Sequence, residues 1–290
     1  MAQATTQKTV LLTGATEGLG KAAAILLAEN GYYVFGTGRS AEKRAALDAF
    51  AREKKLALET LEMDVCDDES VRRGVEAARS RTGEIDVLIN NAGFAFYLAF
   101  EELSLADWHK QFETNVFGVV RVTQAVLPRM RERRQGRIIM MGSVAGLVTA
   151  PMAGAYSASK HAIEGMSNAL RHELYPFGVH TVLIEPGYIV TGIQQNALNM
   201  AQPYMEKMQR GPYAKLYATS LAYANTTRAK SKTSAEDCAR VVLEAVQAPQ
   251  PKPRYGVTEL ATFAKWSKRL LTDSRLDSMI RRRYGITRES

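Results

Sequence analysis

With 290 residues, 46% of them hydrophobic, the chain can bury a large core, and a single α/β domain of this length is ordinary. Its net charge of +8 would suit phosphate-bearing ligands, nucleic acid or an anionic membrane, but its basic residues lack aromatic interleaving and any nucleic-acid motif, so DNA and RNA are not expected partners. Cys66, Cys238 and the four histidines lack metal-ligand or C-x-x-C spacing, no run approaches ~18 apolar residues, and no signal-type segment opens the chain, which predicts a cytoplasmic protein without metal site, disulfide framework or membrane span.

Lys8 to Thr13 reads as a buried parallel strand and leads directly into Gly14-Ala15-Thr16-Glu17-Gly18-Leu19-Gly20 and a helix over 21–30. Glycines between strand and helix allow a tight turn and close approach to a pyrophosphate, whose charge would meet free N–H groups at the helix N-terminus. A plain tight turn would use the same glycines, but the strand before and the helix after favour dinucleotide binding. A second strand over 32–37 ends in Gly38-Arg39-Ser40. An acidic residue there would bind ribose hydroxyls, whereas Arg39 suits a 2′-phosphate, so NADP(H) is expected, with NAD(H) as the alternative. Glu17 runs against this, because a carboxylate in the glycine turn could repel a phosphate or tie up Arg39.

The alternation continues with a charged helix over 41–54, a strand over 56–61 followed by Met63-Asp64-Val65, a helix over 69–81, and a strand over 86–89 followed by Asn90-Asn91-Ala92-Gly93. Strands alternating with amphipathic helices predict a parallel sheet with helices on both faces, and ligands bind such sheets at the carboxyl ends of strands near the topological switch point. Asn91 would sit on that rim, where a turn role and a cofactor contact are compatible. A long helix is predicted over 105–133 with Asn115 and Gly118 unfavourably placed inside it, a departure from propensity of the kind that marks functional sites. The arginines between Arg129 and Arg137 read as the exposed end of this helix, where cations suit the negative end of the dipole.

A fifth strand over 137–141 delivers Ser143, and the next helix carries Tyr156 and Lys160. Four apart on a helix, these two share a face. A tyrosine of pKa ~10 is poorly matched to neutral pH, and a neighbouring ammonium would favour its phenolate. Ser143 could offer its hydroxyl to the same oxygen; a Tyr/Lys pair on a solvated face is the plainer alternative. A sixth strand over 179–184 ends in Glu185-Pro186-Gly187-Tyr188-Ile189-Val190-Thr191. Beyond it, residues 192–232 are rich in Met and Tyr with weak periodicity, as in a lid over an apolar site. Ser234 and Asp237 mark the start of a helix over 235–248, and prolines end it. A helical tail over 259–284 sets Phe263, Trp266 and Leu270 among basic residues; it is expected to pack on the domain, with peripheral membrane contact as the alternative.

Together, T-G-x-x-x-G-x-G at Thr13 to Gly20, Asp64, N-N-A-G at Asn90 to Gly93, Asn115, Ser143, Y-x-x-x-K at Tyr156 to Lys160, and Pro186-Gly187 with Thr191 closely resemble the short-chain dehydrogenase/reductase family, in the right order over residues 8–191. The resemblance implies one Rossmann-type, doubly wound α/β domain over 1–290: a cofactor-binding and catalytic core over 8–191, a helical lid over 192–232 and C-terminal helices over 233–290. It implies hydride transfer between a nicotinamide and a carbinol or carbonyl carbon, with Tyr156 as acid/base. Lys160 would lower the tyrosine pKa and hold the nicotinamide ribose, Ser143 would orient the substrate oxygen, and Asn115 would help hold a relay water. Gly14, Gly18 and Gly20 would meet the pyrophosphate, Asp64 and Asn91 the adenosine side, and Thr191 the nicotinamide side. Further cofactor contacts are expected at Thr16, Glu17, Leu19, Arg39, Ser40, Val65, Ala92, Gly93, Pro186, Gly187 and Ile189. The lid and tail point to a hydrophobic secondary alcohol or ketone of steroid, retinoid or other lipophilic type. A homodimer or homotetramer paired through the helices of Asn115 and Tyr156 is implied as well. The alternative function is a dinucleotide-binding sensor or scaffold without chemistry.

Overall fold

The computed structural model describes residues 7–189 and 193–287. Strands β1 (Thr9–Leu12), β2 (Tyr33–Gly38), β3 (Leu58–Glu62), β4 (Val87–Asn90), β5 (Gly136–Met141), β6 (Val179–Glu185) and β7 (Arg254–Gly256) form one sheet. Their order is β3-β2-β1-β4-β5-β6-β7, and every neighbouring pair is parallel. The chain winds outward from β1 to β3, returns past β1 to β4 and continues to β7, so it is a Rossmann-type doubly wound fold with its order reversing between β1 and β4.

Burial on both faces explains why the strands read as unbroken apolar runs. On one face, Val10 and Leu12 pack with Ala23, Ala24 and Leu27 of α1 (Gly18–Glu29). On the other, Leu11 packs with Val75 of α3 (Asp68–Thr82) and Val122 of α5 (Gly118–Glu132). Each such buried Val or Leu side chain contributes about 1.5–3 kcal/mol. Between them, α2 (Ala41–Glu53) starts at Ser40, whose hydroxyl accepts from Lys43 N at 3.2 Å. The helix start read at Ser234 and Asp237 is a reciprocal capping box opening α10 (Ala235–Gln247).

Four local features differ from the sequence expectations. The helix expected over 105–133 is α4 (Leu105–Phe112), a π-helical turn over Glu113–Phe117, then α5. The side chain of Asn115 lies in that turn and bonds outside its own helix, accepting from Phe94 N at 3.1 Å and donating to Phe94 O at 2.9 Å. Residues 193–230, which show little periodicity in sequence, form α7 (Ile193–Ala201), α8 (Met205–Arg210) and α9 (Ala214–Lys230). Among its described residues α9 fully buries only Tyr217, so no stripe was there to read. Strand β7 follows Pro253 and was not expected; its three residues owe their conformation to pairing with β6. The basic run around Arg129 is largely consumed internally: Arg129 pairs with Glu84 and Glu132, Arg133 with Asp86, and Arg137 donates to the carbonyls of Ala245 and Ala248 near the C-terminus of α10.

The tail is α11 (Glu259–Leu270) and α12 (Asp273–Arg283), with Ala261, Ala264 and Ser267 buried against the domain. No helix among the described residues is long and apolar enough to cross a membrane.

β7 is bolted to the helix of Tyr156, α6 (Gly154–Leu174), by Arg254. Its guanidinium reaches Glu185 at 2.8 Å, Glu164, and Asn168 at 3.2 Å. Burial, then repulsion from Glu164, raises the Glu185 carboxyl above its ordinary range. Arg254→Met would leave two inward carboxylates without their cation, and the expected loss is about 3–5 kcal/mol. Because protonating Glu185 relieves the repulsion, the loss should be larger at pH ~8 than at pH ~5; thermal unfolding of both proteins at the two pH values measures it.

Candidate active site

The turn after β1 is drawn tight against the loop after β4. Gly14 has φ +65°, and a Cβ there would lie 2.8 Å from the Cα of Ala92. A Cβ on Gly20 would lie 2.1 Å from the carbonyl oxygen of Gly14. Asn91 Nδ2 donates to the carbonyls of Thr13 and Gly14 at 3.0 Å each, while the N–H groups of Asn91 and Ala92 both donate to Thr13 Oγ1. Helix α1 then begins at Gly18 with no side-chain cap from Glu17. Its first-turn N–H groups are therefore available to an anion, and the dipole favours one.

Beside this turn stands a rim of charge. Glu17 bonds to Lys43 and, at 3.1 Å, to Asn196 of α7, and the Lys43 hydrogen bond holds its carboxyl below the ordinary range. The expectation that Glu17 could tie up Arg39 is thus redirected to Lys43. Arg39 stands 3.7 Å from Asp64 with 76% of its side chain exposed, free to meet a further anion. Ser40 contributes its hydroxyl to the α2 cap, and Asp64 Oδ1 accepts from Cys66 N at 3.0 Å.

At the carboxyl ends of β5 and β6 the cavity turns inward. Tyr156 and Lys160 of α6 are buried at 9% and 8% exposure, and Ser143 at 7%. Lys160 Nζ donates to Met141 O at 2.7 Å and lies 5.8 Å from the centre of the Tyr156 ring. Ser143 Oγ accepts from Ala145 N at 3.1 Å, which leaves its proton free for the Tyr156 oxygen. Burial raises the Tyr156 phenol above its ordinary value, and the Ser143 hydrogen bond pulls the other way. Burial likewise pushes Lys160 down to about 8. The expected lowering of Tyr156 by a lysine ammonium is therefore not the leading effect here: desolvation is, and it weakens both ions.

Gly14, Thr16, Glu17, Gly18, Leu19, Gly20, Arg39, Ser40, Asp64, Val65, Asn91, Ala92, Gly93, Ser143, Tyr156, Lys160, Pro186, Gly187 and Ile189 all line one cavity of about 1570 Å³. Asn115 does not line it; at 2% exposure it sits behind, its Nδ2 also donating to Ser159 Oγ at 3.1 Å. Thr191 lies outside the described residues. The cavity extends past Tyr156 into an apolar chamber that no motif announced. Tyr97, whose ring centre is 5.9 Å from that of Tyr156, and Met152 wall it on one side. Met200 of α7, Leu221 and Tyr223 of α9, and Leu260 and Tyr284 from the tail close it on the other. The Met and Tyr content of 192–232 and the apolar residues of the tail were the sequence signals for this end; Tyr97 lies in a stretch without one.

The segment from α7 to α9 is held by polar clasps. Tyr217 OH donates to Glu102 at 2.6 Å and accepts from Ala99 N at 2.8 Å, and Tyr204 OH donates to Asp107. A glycine cradle that any Cβ would fill, an uncapped helix start and a nearby cation form one end of the cavity, and a tyrosine, a lysine and a serine hydroxyl the other. These residues fit an extended dinucleotide with its anionic middle at α1 and its far end beside Tyr156.

The profile described as short chain dehydrogenase matches residues 8–202. The chain is 41% identical to the 3-ketodihydrosphingosine reductase of Bacteroides thetaiotaomicron over 187 residues, which cover 64% of this chain and 66% of that relative. It is 35% identical to the NADPH-dependent 3-dehydrocapnine reductase of Ornithobacterium rhinotracheale over 277 residues, 93% of this chain and 94% of the relative. A solved short-chain dehydrogenase/reductase from Burkholderia phymatum in complex with NAD is similar with TM-score 0.79 and 25% identity, over 93% of this chain and 95% of that one. The match runs from β1 into α7, through all but the outermost walls of the cavity, and the chain belongs to the short-chain dehydrogenase/reductase family of NAD(P)-dependent oxidoreductases.

Proposed function

We propose that this chain is an NADP(H)-dependent oxidoreductase that interconverts a hydrophobic ketone and its secondary alcohol, with Tyr156 as general acid/base. The observation that carries this reading is the meeting of Tyr156, Lys160 and Ser143 at the junction of the glycine-turn end and the apolar end of one cavity. The nicotinamide supplies or accepts hydride when bound. Tyr156, kept protonated by its buried setting, donates a proton to the carbonyl oxygen as charge develops there, and Ser143 donates a second hydrogen bond to that oxygen. Lys160 is anchored through Met141 O and offers its remaining N–H groups to a ribose hydroxyl and to the proton path. With both Nδ2 protons of Asn115 engaged at Phe94 and Ser159, its main-chain carbonyl is the group proposed to hold the relay water. A chain that only sensed a dinucleotide would have no use for this buried cluster.

The apolar chamber and the relative named as a 3-ketodihydrosphingosine reductase support a lipophilic substrate. Exposed Arg39 and the relative named as NADPH-dependent support NADP(H). Phe117, 51% exposed beside Asn115, supports pairing of two copies along α5 and α6. A panel of steroid, retinoid and long-chain ketones, scanned for NADPH consumption, tests the substrate class, and binding of NADPH without turnover of any of them would favour the sensor instead.

Tyr156→Phe should lower kcat by about a thousandfold or more while NADPH binding stays within a few-fold of the parent; turnover retained with any ketone would remove Tyr156 from its role. Arg39→Ala should raise KM for NADPH about tenfold with little change for NADH, whereas a native kcat/KM higher for NADH than for NADPH would overturn the cofactor assignment. Lys160 gives up its proton near 8 in the folded chain and near ~10.4 when unfolded, so between these values the unfolded state binds more protons and stability rises with pH. The unfolding free energy of the cofactor-free native protein, measured relative to Lys160→Met, should therefore grow by about 2 kcal/mol between pH ~7 and ~9.5.

A further inference from the structure

The α11–α12 hairpin buries Ala261, Ala264 and Ser267 and leaves three large apolar side chains exposed on α11, in line with Glu259 at its start. Phe263 is 46% exposed, Trp266 53% and Leu270 71%. Their spacing places all three in one stripe along the helix. Lys265 and Arg269 border this stripe, and basic residues outnumber Glu259, Asp273 and Asp277 across 259–284. These cations differ from those around Arg129, which are consumed by carboxylates and carbonyls. Among the described residues Lys265, Lys268, Arg269, Arg275 and Arg282 have no ion-pair partner within 4.0 Å, and Arg281 approaches Asp277 only at 3.9 Å. The guanidinium of Arg283 lies 6.0 Å from the centre of the Phe263 ring, joining the charge to the apolar stripe.

From this arrangement we infer that the hairpin docks the protein on an anionic lipid bilayer, with Phe263, Trp266 and Leu270 inserted at the acyl boundary and the neighbouring Lys and Arg side chains among the headgroups. An apolar stripe edged by uncompensated cations is what an interfacial helix needs: burial of the stripe supplies the adhesion, and the cations select negative lipid. A protein partner matching it would need an acidic rim around an apolar groove, and a second copy of this chain would instead bring its own cations against the first set, a like-charge arrangement that opposes pairing through this face. Leu260 at the start of the hairpin and Tyr284 just after it line the cavity, so the docking element also frames the active-site chamber. The docking inference rests on the surface alone and stands whether or not the substrate is lipophilic.

The full-length protein would be floated with vesicles of phosphatidylcholine alone and of phosphatidylcholine with about 30 mol% phosphatidylserine. Expected is partition onto the anionic vesicles only, reduced at least about tenfold in ~0.5 M NaCl and in the variant F263S/W266S/L270S. Thermal unfolding and NADPH affinity of that variant, unchanged from the parent, would show that the loss is not misfolding. As a second reading, Trp266 is one of two tryptophans, so in a Trp108→Phe background its emission should shift to the blue on adding anionic vesicles and stay put with neutral ones. Failure of the native protein to float, equal flotation of the triple variant, or a dimer by light scattering that only the triple variant dissociates would each overturn the proposal.

Discussion

Asn91 donates its amide protons across the gap between β1 and β4 to the carbonyls of Thr13 and Gly14, and the geometry of the whole cavity hangs on that bridge. The sheet order reverses between these two strands, so their following loops diverge and open a crevice at the carboxyl ends. Left alone, such a crevice would be as wide as the two loops allowed. The bridge, reinforced by Thr13 Oγ1 accepting from two successive N–H groups, draws the glycine turn so close that no Cβ fits at Gly14 or Gly20. What that closeness yields is an exposed helix N-terminus at Gly18, aimed by backbone packing instead of by a flexible side chain.

At the other end of the cavity, desolvation dominates over Coulomb attraction. Tyr156 and Lys160 are both pushed toward their neutral forms by burial, and each has only a small compensation: a hydroxyl for the phenol, a carbonyl for the ammonium. A cluster in this state keeps the phenol protonated, the form the proposed ketone reduction requires. The same setting makes Lys160 a standing cost to the fold below pH ~8. The rigid frame around it meets that cost: Arg254 clamps α6 to β6 and β7 one turn beyond Lys160, and the π-helical turn around Asn115 is pinned to Phe94 and to Ser159, the residue before Lys160.

Most of the frame was legible because both faces of the sheet are covered. Strands such as β1, β4 and β6 appear in the sequence as short apolar runs, and they lie within a residue or two of where those runs end. The position of the candidate site was legible for a related reason. Gly14, Asn91, Ser143 and Tyr156 each sit just past a strand or on the helix that follows it, where local order fixes position. What escaped notice depends on tertiary contact. Three residues of β7 have no pattern of their own, and the break at Asn115 is imposed by a loop twenty-one positions earlier in sequence. Glu17 could be seen to be a troublesome carboxylate, but that its partner is Lys43, one turn into α2, is a fact of the folded rim.

The two ends of the cavity are therefore built on different principles. The glycine-turn end is made of backbone and of side chains tied to backbone, all within the first two-thirds of the chain, and a change there disturbs the sheet itself. The apolar end borrows single side chains from the loop around Tyr97, from α7 and α9 and from the tail. These pieces are joined to one another by clasps such as Tyr217 to Glu102 and by the tilted ring contact of Tyr223 with Tyr284, whose ring centres are 4.3 Å apart. A substitution at Leu221 or Leu260 alters the chamber without touching the strand ends or the glycine turn. In the proposed reaction, changes in α7, α9 and the tail would alter substrate choice while leaving proton transfer at Tyr156 as it is, and the residues that would set that choice are the ones least constrained to leave a pattern in sequence.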